Sequence, residues 1–328
     1  MPSNKIKLLY ILDILKESDE NNPITTNKIL EKLKCYGIQA ERKSILRDIE
    51  ILMDYGIDII LHNDNKKGYY IGSRDFEDWE IKIIIDSVAS AKFITEKQSK
   101  SLINKLKNLS SLSGKKAISS LTIINSNYRT DNKTVKISID SIIKAVSENK
   151  QISFKYFDYN FDFKRIYRNN EMEYIVSPYS LVQYNNDYYL VGNYHKYNNL
   201  SDYNLSKMSN VRILNSNCKE LKEILGENSD ILLQQYVDKN LYMYGGNSIR
   251  LKVKCPQYMA DILIRQFGKI NIYNIDDTSL TATMDVTDGD GLYFWLLQHS
   301  ENIEVLEPLS VRNELIQSLK NILKKYNG

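Results

Sequence analysis

Cysteine is scarce in this chain of 328 residues: Cys35, Cys218 and Cys255 are far apart and odd in number. That excludes a disulfide framework, and without paired spacing it excludes a cysteine zinc site, so the three read as reduced cytosolic thiols. Long hydrophobic runs are missing too, and nothing approaches the roughly 18 apolar residues that span a bilayer. The stretch "LLYILDIL" is interrupted by Asp13 and lacks a small-residue cleavage site, so it is not expected to be a signal peptide. An excess of one charge is also lacking. The formal net charge is +3, and residues 1–74 hold twelve Lys+Arg against eleven Asp+Glu. Any case for nucleic acid must therefore rest on where the charges sit. Catalytic signatures are missing as well: His62, His195 and His299 stand alone, with no HExxH, GxSxG or Walker loop. An enzyme is disfavoured, though scattered residues can still meet in a fold. No catalytic residue, cofactor or metal site is assigned, and no solenoid repeat is evident.

What is present is an ordinary globular composition, 42% hydrophobic and 26% charged, in a chain long enough for two or three domains. Residues 5–18 read as a helix with Leu8, Leu12 and Leu15 on one face. After Pro23, Thr25 is suited to cap a second helix carrying Ile29, Leu30 and Leu33, and Gly37 is suited to end it. A third helix, "ERKSILRDIEIL", sets Ile45, Ile49 and Leu52 on one side and pushes Arg42, Lys43 and Arg47 outward. Cations are unfavourable near a helix N-terminus, so they call for a solvated face or an anionic partner. "GIDIILHNDNKKGYYIG" then reads as a hairpin with Lys66 and Lys67 at its tip. Three helices with a tight turn between the last two, then a hairpin, is the winged helix-turn-helix order.

In that setting Lys43 and Arg47 can enter one DNA groove, with Gln39, Arg42 and Ser44 adding phosphate or base contacts. Lys66 and Lys67 suit phosphate contact, or are simply turn residues. Asp48 is expected to orient Arg47 or cap locally. Residues 75–113 read as helical, with apolar stripes at 79, 83, 84, 88 and at 102, 103, 106, 109 that should be buried against helices of this chain or of a second copy. "SSLSGKK" and "NSNYRTDNK" look like linkers. A helix "SIDSIIKAVSENK" leads into the strands "QISFKYF", "YIVSPYSLVQY" and "DYYLVGNY", which suggest a small barrel, and eleven of 24 tyrosines fall between Tyr156 and Tyr203. One of Tyr189 and Leu190 should be core. After a polar connection near 215–245, the order strand, helix, strand, strand, helix, strand and a last helix is ferredoxin-like. "DVTDGDG" raises calcium, but Val286 and Leu297 occupy positions where an EF-hand needs acids, so it reads as a turn and helix cap.

At this point nearly the full chain resembles the WYL-domain transcriptional regulators. "ITTNKILEKL…ERKSILRDIEIL" is similar to their DeoR-type helix pair. "ISFKY", "SPYSLV" and "DYYLVG" are similar to the WYL domain, an Sm-like barrel, and "DGLYFWLLQHSENIEVLEP" to the C-terminal WCX extension. The resemblance implies an α+β multidomain protein: a winged helix at 1–74, a helical linker or dimerisation region at 75–133, a WYL effector-sensing domain at 134–215, a connector at 216–245 and a WCX domain at 246–328. It implies a cytoplasmic regulator, a homodimer on a double-stranded operator, holding a single-stranded nucleic acid or a nucleotide as effector. A nucleic-acid-binding adaptor without promoter control is the alternative.

The chain departs from the family where that effector would sit. The Trp of the family name is Tyr188, and the aromatic-Arg-x-Asp-Arg stretch is "YNLSK", Tyr203 to Lys207. The implied effector residues are Tyr156, Tyr179, Tyr188, His195, Tyr203, Asn204, Ser206 and Lys207, with one point charge where the family has two arginines. Basic residues nearby, Lys164, Arg165 and Arg168, are the alternative anion contacts.

Overall fold

The structure is a computed structural model and describes residues 4–62, 67–123, 129–268, 270–274 and 278–327. The chain divides into two units, Met1–Asp131 and Asn132–Gly328.

The first unit opens with α1 (Asn4–Lys16), α2 (Thr26–Cys35) and α3 (Arg42–Asp54), followed by an antiparallel hairpin of β1 (Ile59–His62) and β2 (Gly68–Ile71). Thr25 caps α2 by accepting from the Lys28 amide at 3.3 Å, and Gly37 takes the left-handed conformation after it, at φ 73°. Both roles were legible in the sequence. Ile11, Leu15, Ile29, Leu33, Ile45 and Ile49 converge in one core, each burial contributing roughly 1.5–3 kcal/mol. β2 continues onto Ile24 through a two-way amide exchange with Tyr69. A Cβ on Gly68 would lie 2.8 Å from the Ile24 backbone, so only glycine allows that approach.

Three further helices follow, α4 (Asp78–Ser90), α5 (Glu96–Lys107) and α6 (Leu112–Leu121). The "SSLSGKK" stretch is not a linker. Ser111 caps α6, accepting from the Gly114 amide at 3.1 Å, and Gly114 packs where a Cβ would meet Ser110 and Asp78. Small polar residues that look like a loop are here the price of close helix contact. The stripe at 79 and 83 is likewise corrected: Trp79 and Ile83 are 64% and 57% exposed, and α4 buries Ile81, Ile85 and Ala89 against Ile103 and Ile118 instead. Arg129 donates to Ala91 O (2.8 Å) and Ile94 O (3.3 Å), satisfying carbonyls beyond the end of α4.

The second unit begins with α7 (Val135–Ser147), which packs on a sheet of β3 (Lys150–Tyr159), β4 (Arg165–Tyr167), β5 (Tyr174–Tyr184), β6 (Asp187–Tyr194), β7 (Ser201–Asn204) and β8 (Met208–Asn217). Pairing runs β8-β3-β5-β6-β7, all antiparallel, with β4 on the outer half of β3. Flat, five strands would hold β7 and β8 about 19 Å apart. The 3-10 turn Leu205–Lys207 that joins them covers only about 6 Å, so the sheet must curl. Register shifts at Ser153/Lys155 and Pro178/Ser180 supply the bends. Leu190 is the buried member of its pair, while Tyr189 is half-buried.

The stretch expected to be a polar connection holds α8 (Leu221–Leu225) and α9 (Ser229–Lys239). Their apolar residues Leu225, Leu233 and Val237 pack with Val191 and Leu200. Then come β9 (Asn247–Pro256), α10 (Ala260–Phe267), β10 (Asn271–Asn274), β11 (Ser279–Asp288), α11 (Asp290–Gln298), β12 (Glu304–Glu307) and α12 (Leu309–Asn327). The sheet order is β10-β11-β9-β12, antiparallel throughout, over a core centred on Trp295. In "DVTDGDG", Asp285 pairs with Arg250 and Asp288 accepts from Tyr293. Its glycines allow close packing: a Cβ on Gly291 would lie 2.0 Å from Leu241 O.

Candidate nucleic-acid interface and effector pocket

On α3, burial of Ile45, Ile49 and Leu52 leaves Arg42, Lys43 and Arg47 exposed, and Gln39 is exposed in the turn before it. Lys67 is exposed beside the hairpin tip, while Lys66 lies outside the described residues. Two expectations change. Asp48 neither orients Arg47 nor caps: its Oδ2 lies 2.8 Å from Nζ of Lys7, a buried lysine on α1. Ser44 is half-buried and accepts a hydrogen bond from the same ammonium, so it serves the α1–α3 contact rather than standing ready for DNA. The inner polar residues of α3 thus fix the helix, and its outer cations face solvent.

In the second unit a cavity of about 770 Å³ opens between the curled sheet and the 221–247 segment. Strand β7 and the turn after it form one wall, through Asp202, Tyr203, Asn204 and Lys207, and Tyr156, Arg168, Tyr174 and Tyr189 extend it. Tyr236 and Tyr242 to Asn247 stand on the other side. The turn is locked from within. Asn204 Oδ1 accepts from the Ser206 amide (2.9 Å) and hydroxyl (2.6 Å), and the Asn204 amide donates to Tyr156 Oη (3.1 Å). Asn132 donates to Ser206 O and Met208 O, at 3.1 and 2.9 Å.

The charges at this wall are organised around Asp158. Arg168 Nε approaches one of its oxygens at 2.6 Å and Lys207 Nζ the other at 2.9 Å. The hydrogen bond from Arg168 holds the Asp158 carboxyl below its usual range and raises the guanidinium in turn. One carboxylate between two cations leaves this cluster with a net positive charge. The guanidinium also lies over the Tyr156 ring, 5.2 Å from its centroid. Asp202 is the opposite case. Its Oδ2 accepts from Tyr236 Oη (3.0 Å) and Asn240 Nδ2 (3.4 Å), and its Oδ1 is buried with no hydrogen-bond partner among the described residues. Burial pushes this carboxyl up to about 7, against the lowering effect of those two bonds.

Of the implied effector residues, the structure brings Tyr156, Tyr203, Asn204 and Lys207 to the cavity. Tyr156 and Tyr203 are also packed edge to face, centroids 5.7 Å apart, with hydroxyls raised by burial. Four others lie off the wall. Tyr179 Oη donates to Lys219 O, Ser206 is spent on the turn, and His195 Nδ1 sits 3.2 Å from Ile175 O. Tyr188 pairs with Gln183 on the β5–β6 hairpin. For Tyr188 alternation along β6 accounts for this, since its neighbour Tyr189 is the one that lines the cavity. Asp158, Asp202, Tyr174, Tyr189 and Tyr236 escaped the sequence reading. The signal for Asp202 was an acid immediately before "YNLSK", in a strand only four residues long.

A curled antiparallel sheet with a helix on it, followed by a four-stranded antiparallel sheet with its own helices, defines an α+β multidomain protein. Two family profiles match this half of the chain, the WYL domain at residues 138–213 and the WCX domain at 247–323. The chain is therefore a WYL- and WCX-domain protein. No curated protein matches it. A solved structure that aligns with 99% of this chain is proteasome accessory factor B/C (PafBC) of Arthrobacter aurescens, at 16% identity and a TM-score of 0.31. The chain spans 49% of that structure's length. No described helix is long and apolar enough to cross a membrane.

Proposed function

We propose that this protein is a cytoplasmic, sequence-specific DNA-binding transcription regulator, with no catalytic role, whose WYL and WCX domains sense a ligand. The observation that carries the reading is α3: three exposed cations, on a helix fixed from behind, in a chain with WYL and WCX domains. The helices and hairpin of the first unit are read as a winged helix, the curled sheet as an Sm-like barrel and the last sheet as ferredoxin-like. The ligand site is the cavity beside β7, where Lys207 and Arg168 replace a pair of arginines as the anion contacts, so the effector is a nucleotide or single-stranded nucleic acid.

Binding to a duplex from the protein's own upstream region against random duplex tests the regulator, and equal affinity favours an adaptor without promoter control. Arg47→Ala should weaken operator binding by about 1–3 kcal/mol and relax base preference, as loss of a groove-facing arginine does. Lys67→Ala should weaken specific and non-specific binding alike and flatten the salt dependence by about one unit of slope. Wild-type affinity in a folded Arg47→Ala protein would leave α3 a mere solvated face.

The exposed Trp79 and Ile83 on α4 support a homodimer, which would place half-sites roughly 10 base pairs apart or at multiples of that. Light scattering should report two chains per particle, and a monomer binding singly to the operator would refute the dimer.

A further inference from the structure

The β3–β4 hairpin carries two costs that its own fold does not require. Phe161 and Phe163 at its tip are 91% and 84% exposed. Phe163 also holds a left-handed backbone, φ 57°, which glycine or asparagine adopts more readily. The tip is not loose. Asn160 Oδ1 accepts from the amides of Asp162 (3.0 Å) and Lys164 (2.8 Å), and the Asn160 amide donates to Lys164 O at 3.0 Å. Two large rings are thus presented to solvent on a built turn. Backbone strain and apolar exposure in the same place point to a contact made with something else.

The hairpin behind the tip indicates what that is. On one face, aromatic rings alternate with cations: Arg165 lies over the Phe157 ring (4.5 Å) and Lys155 over Tyr167 (5.6 Å). On the other face, Asp158 and Arg168 lead into the cavity wall. An apolar protein-docking patch would be contiguous. Here charged residues interrupt it: Phe157 is buried beneath Arg165, and Asp162 separates the two tip rings. Lys155, Lys164, Arg165 and Arg168 nonetheless outnumber Asp158 and Asp162 on this hairpin, and the exposed rings of Phe161 and Phe163 beside those cations suit unpaired bases and their phosphates.

We propose that the β3–β4 hairpin is a stacking subsite for single-stranded nucleic acid, with bases on Phe161 and Phe163 and the phosphate chain running past Lys164 towards Arg168. This deepens the effector reading above and rests on it: the ligand is then an oligonucleotide that extends out of the cavity, not a mononucleotide held within it.

The test uses the full-length protein, a short fluorescein-labelled single-stranded oligonucleotide of mixed sequence, and labelled AMP as a probe of the cavity alone. Phe161→Ser/Phe163→Asn should weaken oligonucleotide binding about tenfold or more, since each stacked base contributes appreciably. AMP binding should stay unchanged, and the thermal midpoint should hold or rise, because asparagine suits the left-handed position better than phenylalanine. Phe161→Trp, which keeps a stacking face, should retain wild-type affinity, a result that a merely structural role for the tip does not predict. Unchanged oligonucleotide affinity in the double variant overturns the subsite and leaves the cavity reading standing. Wild-type binding of AMP without the oligonucleotide overturns it equally. Loss of both probes on Lys207→Ala, with the hairpin variant bound as wild type, assigns the whole interaction to the cavity and overturns it too. Impaired promoter control in cells by a hairpin variant that still binds the oligonucleotide normally would identify the tip as a protein contact instead.

Discussion

Lys7→Met should destabilise the first unit by about 3–5 kcal/mol, the usual consequence of stranding one member of a buried ion pair. The Lys7 side chain is 9% exposed and that of Asp48 13%, so neither charge has water to fall back on. With the ammonium gone, Asp48 keeps its carboxylate in the α1–α3 interface and Ser44 loses its donor. Lys7→Met/Asp48→Leu should recover most of the loss, because two apolar side chains remove the stranded charge along with the pair. Urea unfolding followed by circular dichroism, with hydrogen exchange at the α1 and α3 amides to localise the change, measures both. A loss under about 1 kcal/mol in the single variant would show that the pair is effectively solvated. On the function proposed above the same contact matters too, because it fixes the rotation of α3 and hence the direction of Lys43 and Arg47. Operator binding by Lys7→Met should therefore fall at temperatures where the unit is still folded.

The Lys7–Asp48 pair also shows where sequence reading stops. The helices around it were legible because their signals are local: apolar residues at spacings of three and four, Thr25 as cap, Gly37 as stop. The pairing itself joins residues 41 positions apart, and nothing local distinguishes a buried lysine from the solvated ones beside it. The same limit separates the strands. β5 and β6 are long and rich in tyrosine, valine and leucine, and their bounds were read correctly. β4 and β7, three and four residues long, carry too little pattern to detect. Because β7 was missed, so was Asp202 within it. On α4 both 79/83 and 81/85/89 offer helical spacing, and only the packing of α5 and α6 decides which face is inside. The cavity wall at Tyr203, Asn204 and Lys207 was reached through family resemblance. Its charge balance was not, because Arg168 and Asp158 come from the β3–β4 hairpin, a different part of the chain.

Asp202 sets the second large effect, a stability that falls as pH rises. Its carboxyl titrates near 7 in the folded protein, against a model-peptide value of 3.8. Between those two values the native state holds a proton that the unfolded chain has released. The extra stability is therefore complete below about pH 4, declines through neutrality and is gone above about pH 7, a total of about 4 kcal/mol. Asp202→Asn keeps an oxygen to accept from Tyr236 Oη and cannot ionise. The variant should match wild type near pH 4 and exceed it by up to about 4 kcal/mol at pH 8, as measured by urea unfolding of the second unit across that range. Parallel stability curves for the two proteins from pH 4 to pH 8 would mean that water reaches the carboxylate and burial does not hold it protonated. The ionised form has a further consequence for the cavity. Oδ1 faces no protein donor among the described residues and is shielded from solvent, so a ligand whose N–H or ammonium group opens a path to it would supply the partner that the fold withholds. Such a ligand should release a proton from the protein on binding at pH 6, and release close to none at pH 8, where the carboxylate is already charged. Calorimetry in two buffers of different ionisation enthalpy reads that proton directly. A ligand that binds the cavity with no buffer dependence at pH 6 does not engage Asp202.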